Sequence, residues 1–191
     1  MLLVVGLGNP GREHEGQRHN VGFVVTGELR RSWGLPEYRS KFTALLTKGE
    51  AAGGRPVALL EPQTYMNLSG DAVQPAAAFL NVEPADIVVV HDELDLPWGD
   101  VRIKVGGGHA GHNGLRSIIQ RLGSPDFARV RIGIGKPPAT FGGDTAAWVL
   151  SRFDPVERAD LPAVVARAAD AVGRILADGV AAAMNAVNTK T

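Results

Sequence analysis

The feature that most limits how this chain can fold is a series of short apolar runs, rich in β-branched residues, alternating with segments of helical spacing. The runs fall at 2–6 (LLVVG), 42–47 (FTALLT), 56–60 (PVALL), 86–90 (DIVVV), 101–105 (VRIKV) and 130–134 (VRIGI). Their length and their Val and Ile content suit strands rather than helices. Helical spacing is read over 20–33, where Val21, Val24, Val25 and Leu29 share a face. It recurs over 69–80, with Ser69 as the expected N-cap, and over 113–122, closed by Gly123. An Ala-rich helical stretch covers 155–178, and Pro162 predicts an early break or kink in it. Strands alternating with helices predict a layered α/β fold. The runs at 42–47 and 56–60 flank KGEAAGGR and read as a hairpin, so the sheet is expected to be mixed. No repeat or linker divides the 191 residues, which are expected to form one domain, with 179–191 as a fraying tail.

Several classes of function fall away at this level. No apolar run approaches the roughly 20 residues that a membrane span needs, so no membrane association is expected. Met1 leads directly into LLVVG without a basic segment, and this reads as the first strand rather than a signal peptide. The chain has no cysteine, which excludes disulfides, thiolate nucleophiles and zinc–thiolate sites and fits a cytoplasmic setting. Formal net charge is zero, but the charges are segregated. Residues 83–100 carry Glu83, Asp86, Asp92, Glu93, Asp95 and Asp100 without a Lys or Arg. Residues 102–136 carry Arg102, Lys104, Arg116, Arg121, Arg129, Arg131 and Lys136 against Asp126 alone. Such a segment can form a phosphate-binding patch, or it can be an ordinary solvated face.

VVGLGNPG (4–11) spaces Gly6, Gly8 and Gly11 as G-x-G-x-x-G after an apolar run, the dinucleotide-binding fingerprint. That motif needs a helix opening at its third glycine, then a second strand with an acidic residue about 20 residues on. Here Pro10 and the polar REHEGQRHN follow, and the next helix begins near Asn20. The context fails, and no cofactor is expected.

Four polar clusters lie beside glycines or strand ends. In GNPGREHEGQRHN (8–20), Asn9 sits on a tight loop, and His14 and His19 precede a helix. Such a histidine can be a capping or packing residue; inside a cleft, the helix N-terminus keeps the ring neutral and available as a base. In VVVHDELDLPWG (88–99), Asp92 emerges at a strand's C-terminal end, where open α/β sheets form ligand crevices. A carboxylate there can orient a histidine, whereas Glu93 and Asp95 also fit plain turn acids. In TYMNLSG (64–70), Tyr65, Met66 and Asn67 offer an aromatic–apolar wall with an amide beside it, or merely dock a loop. In KVGGGHAGHNGLRS (104–117), three glycines permit close backbone approach before a helix N-terminus that favours oxyanions. Asn113 stands at that helix start, where a structural role would be the N-cap. His109 and His112 are three apart, but a glycine loop is a poor platform for a metal and no H-E-x-x-H is present. No G-x-S-x-G elbow supplies a serine nucleophile, so water activated by His and Asp is the expected chemistry.

Taken together, GLGNPG, RHNVG, TYMNLSG, HDELDLPWG, GGGHAGHNGLRS and VRIGIG, in this order from residue 6 to 135, resemble the bacterial-type peptidyl-tRNA hydrolases. VLSRFDPVE (149–157) extends the likeness into the C-terminal region. The resemblance implies a three-layer α/β/α sandwich around a mixed, mostly parallel sheet. It also implies a metal-free enzyme that cleaves the ester between a peptide and the 3′-terminal ribose of tRNA. By the same resemblance His19 matches the proton acceptor and Asp92 the carboxylate that orients it. Asn9 matches the residue that discriminates blocked from free aminoacyl ends. Tyr65 and Asn67, with Met66 between them, match a substrate-binding loop, and Asn113 a substrate-contacting amide. Lys104 and Arg131 match positions that grip tRNA phosphate. His14 stands where the family has Tyr, and it offers less area for stacking on a base. The implied partner is peptidyl-tRNA, with no obligate protein partner and a monomeric state. Three rivals are a non-catalytic RNA-binding relative on the same fold, a metal hydrolase using His109, His112 and nearby acids, and a nicotinamide-binding module.

Overall fold

In the computed structural model, which describes residues 1–188, the first strand β1 (Leu2–Gly6) is buried on both faces. Leu3 and Val5 enter one core and Val4 the other, which is why its sequence is continuously apolar rather than alternating. After β1 come α1 (Val21–Ser32), β2 (Arg39–Lys41), β3 (Ala44–Ala51), β4 (Arg55–Pro62), α2 (Gly70–Leu80) and β5 (Ile87–Glu93). The second half adds β6 (Val101–Val105), α3 (Asn113–Leu122), β7 (Ala128–Gly133), α4 (Thr145–Val149), α5 (Pro155–Asp178) and α6 (Val180–Asn188).

The seven strands make one sheet in the order β2-β3-β4-β1-β5-β7-β6. β4, β1, β5 and β7 are parallel, while β6 and the β2–β3 hairpin are added antiparallel at the two sides. On one face Val4, Val57, Leu59, Val88 and Val90 meet Val25 and Leu29 of α1, Val164, Ala168 and Val172 of α5 and Ala183 of α6. On the other, Leu3, Val5, Leu60 and Val89 meet Ala72, Val73 and Ala76 of α2 and Leu115 and Ile118 of α3. The result is the α/β/α sandwich around a mixed sheet.

Several details depart from the sequence reading. β2 is a wholly exposed polar edge strand, so it leaves no apolar signal. β3 continues through Lys48, Gly49 and Glu50, which the hairpin reading placed in the connection, because each pairs with β4. Pro162 neither ends nor divides α5. One missing backbone donor in a long helix is outweighed by the burial of Val164, Val165, Ala168, Val172 and Ile175 beyond it. Ser69 precedes α2 but does not cap it, since its hydroxyl donates back to Met66 O at 2.8 Å. The expected fraying tail is instead helix α6 over 180–188, held because Ala183 is buried and Asn188 bonds β6; residues 189–191 lie outside the described residues.

The glycine motif acquires a physical role here. A Cβ on Gly6 would meet Gly22 O at 2.4 Å, and one on Gly22 would meet Val90 O at 2.5 Å, so paired glycines let α1 approach β1 and β5 closely. Gly11 turns the chain at φ 103° into a short 3-10 turn, Arg12–His14, rather than an α-helix. The next strand, β2, lies on the far edge of the sheet instead of beside β1. The dinucleotide geometry is therefore absent, and the parallel strands open onto a crevice lined by other groups.

Candidate active site

The crevice lies at the C-terminal end of β5, where the apolar run gives way to His91, Asp92 and Glu93. Asp92 is 2% exposed. Its Oδ2 lies 2.8 Å and its Oδ1 3.0 Å from Nδ1 of His19, which sits in a 3-10 turn (Arg18–Asn20) that leads into α1. A carboxylate only accepts at this distance, so Nδ1 carries the proton and Nε2 is left as the free lone pair. That nitrogen has no hydrogen-bond partner among the described residues, and the ring lines the crevice.

Burial by itself pulls the His19 ring toward the neutral form. The charge and hydrogen bond of Asp92 outweigh it, and the ring is held above the ordinary histidine value of 6.5. For Asp92, burial favours the protonated acid, but His19 and His112 together hold the carboxyl far below the usual carboxylate range.

His112 is the residue that the sequence reading missed. Its Nδ1 accepts from Gly114 N at 3.2 Å and Leu115 N at 3.3 Å, so it caps α3 in place of Asn113. That fixes the tautomer: Nε2 is the protonated nitrogen, and it donates to Asp92 Oδ1 at 3.0 Å. Position 112 attracted notice only for its spacing from His109. A histidine just ahead of a helix, after a glycine loop, was the signal that could have marked it as a cap. Behind it lies His91, 1% exposed, whose ring meets His112 edge-on at 4.9 Å and whose Nδ1–H donates to Asp92 O. Burial and the neighbouring His112 bring His91 down to about 3, so it is a neutral packing group.

Asn9 is fixed from both ends. Its backbone exchanges two bonds of 2.9 Å with the side chain of Asn20, the residue after His19. Its Oδ1 accepts from Met66 N at 2.7 Å, which leaves the amide Nδ2 as its available donor. Asn113 is exposed and lines the crevice with His19, Asp92, Leu94, Ala110, Gly111 and His112. Thr145, Ala146 and Val149 of α4, a helix that the sequence reading did not identify, complete the lining, and the crevice holds about 200 Å³.

The TYMNLSG loop divides. Tyr65, 62% exposed, and Asn67 face solvent, while Met66 is 4% exposed and packs beneath the start of α3, where a Cβ on Gly114 would meet its sulfur at 2.6 Å. Met66 therefore supports the loop rather than presenting a wall. His14 bonds Gln17 Oε1 at 2.8 Å from its own turn and does not line the crevice. Lys104 lies along the glycine loop, against Gly107. Arg131 is partly buried, 3.6 Å from Glu93.

Much of the basic segment is already committed. Arg129 is 1% exposed and donates to the carbonyls of Gly107, Gly108 and Pro125, fastening the glycine loop. Arg121 pairs with Asp71 and Lys136 with Asp95. Lys104 and Arg116 have no carboxylate partner among the described residues.

One group of potential metal ligands occurs among the described residues, His19, Asp92 and His112, with donor atoms within 4.8 Å of one another. Their facing atoms are already hydrogen-bonded together, and an ion would have to displace both histidine protons. His109 is not part of the group; its Nδ1 accepts from Gly111 N.

A buried carboxylate orienting a histidine whose other nitrogen is free, at the mouth of a parallel sheet, is an arrangement that suits a hydrolase of the general-base type. The comparisons with known proteins agree. The family model described as peptidyl-tRNA hydrolase matches residues 3–191. The peptidyl-tRNA hydrolase of Sorangium cellulosum is 54% identical over 190 residues, covering 100% of this chain and 85% of that protein. That of Mycobacterium bovis is 46% identical over 187 residues, 98% and 97% of the two chains. The crystal structure of the Acinetobacter baumannii enzyme superposes with a TM-score of 0.90 at 38% identity, over 99% of this chain and 95% of that one. This chain belongs to the peptidyl-tRNA hydrolase family.

Proposed function

We propose that this chain hydrolyses the ester joining a peptide to the 3′-terminal ribose of tRNA, with His19 as general base. Water bound at His19 Nε2 loses a proton to the ring as its oxygen attacks the ester carbonyl. Asp92, 2.8 Å away, holds the imidazolium that forms. The amides of Asn9 and Asn113 are the donors available to the developing oxyanion or to the peptide group beside it. Collapse of the tetrahedral intermediate breaks the bond to the ribose oxygen, which takes the proton back from His19. The new carboxylic acid then ionises, leaving peptide and free tRNA.

The single observation that carries this reading is the His19 Nδ1–Asp92 bond, which leaves the base's other nitrogen free in the crevice. Tyr65 and Asn67 are assigned to the acceptor end by their exposure on the loop beside Met66. Lys104 is assigned to phosphate, and Arg131 joins it by exchanging Glu93 for a phosphate oxygen. The protein acts as a monomeric cytoplasmic enzyme without a metal.

Release of peptide from peptidyl-tRNA, run beside aminoacyl-tRNA with a free amine, is the direct test. His19→Ala should keep tRNA affinity and lose on the order of 10² to 10⁴ in turnover; a variant turning over at the parental rate would refute the base. Full activity after exhaustive chelation is expected. Activity that chelation abolishes and a divalent cation restores would instead support the cluster of His19, Asp92 and His112 as a metal site.

A further inference from the structure

The residue before the base is a buried arginine. Arg18 is 3% exposed, and a guanidinium in such a place needs strong partners; its Nε has none among the described residues, so the two terminal nitrogens carry the bonds. Arg18 donates to Ser151 Oγ at 2.6 Å, to Arg152 O and to Glu157 Oε1 at 2.5 Å, and its Cζ lies 3.7 Å from the centre of the Trp148 ring. Its backbone N–H adds a bond of 2.9 Å to Ser151 O. Arg152 answers from the other side by donating to Glu15 O at 2.6 Å across Gly16, where a Cβ would meet that nitrogen at 2.8 Å. Glu157 is itself fixed, because Oε1 also accepts from Asp154 N in the capping box of α5.

All of these partners belong to residues 148–157, the end of α4 and the start of α5. Trp148 is in α4, whose Thr145, Ala146 and Val149 form a wall of the crevice that His19 also lines. The Trp148 indole also donates to Gly135 O at 2.9 Å, which leaves α4 little freedom to move apart from Arg18. One guanidinium thus joins the turn that carries the base to the wall that faces the substrate.

We infer that Arg18 is a positioning residue, which with Glu157 sets the place of His19 against Asp92 and locks the α4 wall to it. Base and wall then hold the ester between them as one rigid unit. The planar fork is what requires arginine: Nη1 serves Ser151 and Arg152 while Nη2 reaches Glu157 with Cζ over the Trp148 ring, and the single nitrogen of a lysine cannot span those places. The inference rests on His19 being the general base, and His19→Ala assayed alongside tests that separately.

Three variants test the coupling: Arg18→Lys, Glu157→Gln and the double variant Arg18→Met with Glu157→Met. The double variant removes both charges, so neither is left unpaired in the interior. Turnover is measured well below each melting temperature, together with the NMR resonance of the His19 Nδ1 proton shared with Asp92. Displacing a reacting group by about 1 Å can cost on the order of 10² in rate, so kcat of the double variant should fall about that far while KM changes by no more than about twofold. Arg18→Lys should fall about tenfold, with the Nδ1 resonance displaced in both. Glu157→Gln keeps the acceptor oxygen and should stay within about threefold of the parent. A folded Arg18→Lys or double variant with parental kcat and an unmoved resonance overturns the inference, whatever its melting temperature. So does a Glu157→Gln loss as large as that of the double variant.

Discussion

His19 can accept a proton only in the fraction of molecules that have already lost one. Because Asp92 holds the ring above 6.5, the acid limb of kcat/KM should have its midpoint above that value. Asp92→Asn removes the charge that raises the ring and leaves burial, which lowers it, so the midpoint should move below 6.5 even as the maximal rate falls. A pH–rate profile of the two proteins checks the sign; a limb that stays in place would show that another group titrates. His112 contributes at the same scale through two different atoms. His112→Asn can still cap α3 but cannot keep the bond to Asp92 with the same reach, whereas His112→Ala loses both. The alanine variant should be less stable by about 1 kcal/mol than the asparagine variant in denaturant titrations, with turnover reduced in both. Asp92 was singled out in the sequence by its place at the end of a strand, and His19 by the motif resemblance, since its place before a helix is shared with His14. His112 was not, because the chain reaches it from Asp92 through β6 and a glycine loop that has no side-chain pattern to place the ring.

At the scale of elements, strands and helices with buried faces were legible, and those without them were not. β5 announces itself in four consecutive apolar residues, and α3 in Leu115, Ile118 and Ile119. β2 has only Arg39, Ser40 and Lys41, and α4 is five residues long with a single buried side chain, Trp148. α6 looked like a tail because its one fully buried residue is an alanine and its most specific contact is made by an amide. That contact is a pair of bonds, Ile103 N to Asn188 Oδ1 and Asn188 Nδ2 to Ile103 O, both 2.8 Å, along the outer side of β6. Asn188→Ala should lower the melting temperature by a few degrees, as expected for the loss of about 1–2 kcal/mol. Thermal unfolding measures it, and an unchanged midpoint would mean that the edge is held without the amide.

Across the whole molecule, the formal charge of a segment says less than which charges are free. Seven basic residues between 102 and 136 left a local phosphate patch and an ordinary solvated face equally open, but Arg129 is an internal fastener and Arg121, Arg131 and Lys136 have carboxylate neighbours. Sequence could not separate these, since pairing is decided by sheet register and helix placement. Lys104→Gln should therefore weaken tRNA binding and flatten its dependence on log salt by about one unit. Glu93→Gln should have the opposite effect on affinity by releasing Arg131, and filter binding across a salt series distinguishes the two. The bonds from Asn188 carry a consequence for how the molecule is made. Synthesis runs from the N-terminus, so β6 is complete some eighty residues before the amide that covers its edge has been added. Any chain cut short in that interval exposes an unpaired strand and is open to joining another chain through it. Part of what protects a finished molecule from aggregation is thus a stretch made long after the strand that it covers, and a version broken off before it would be the first to be cleared.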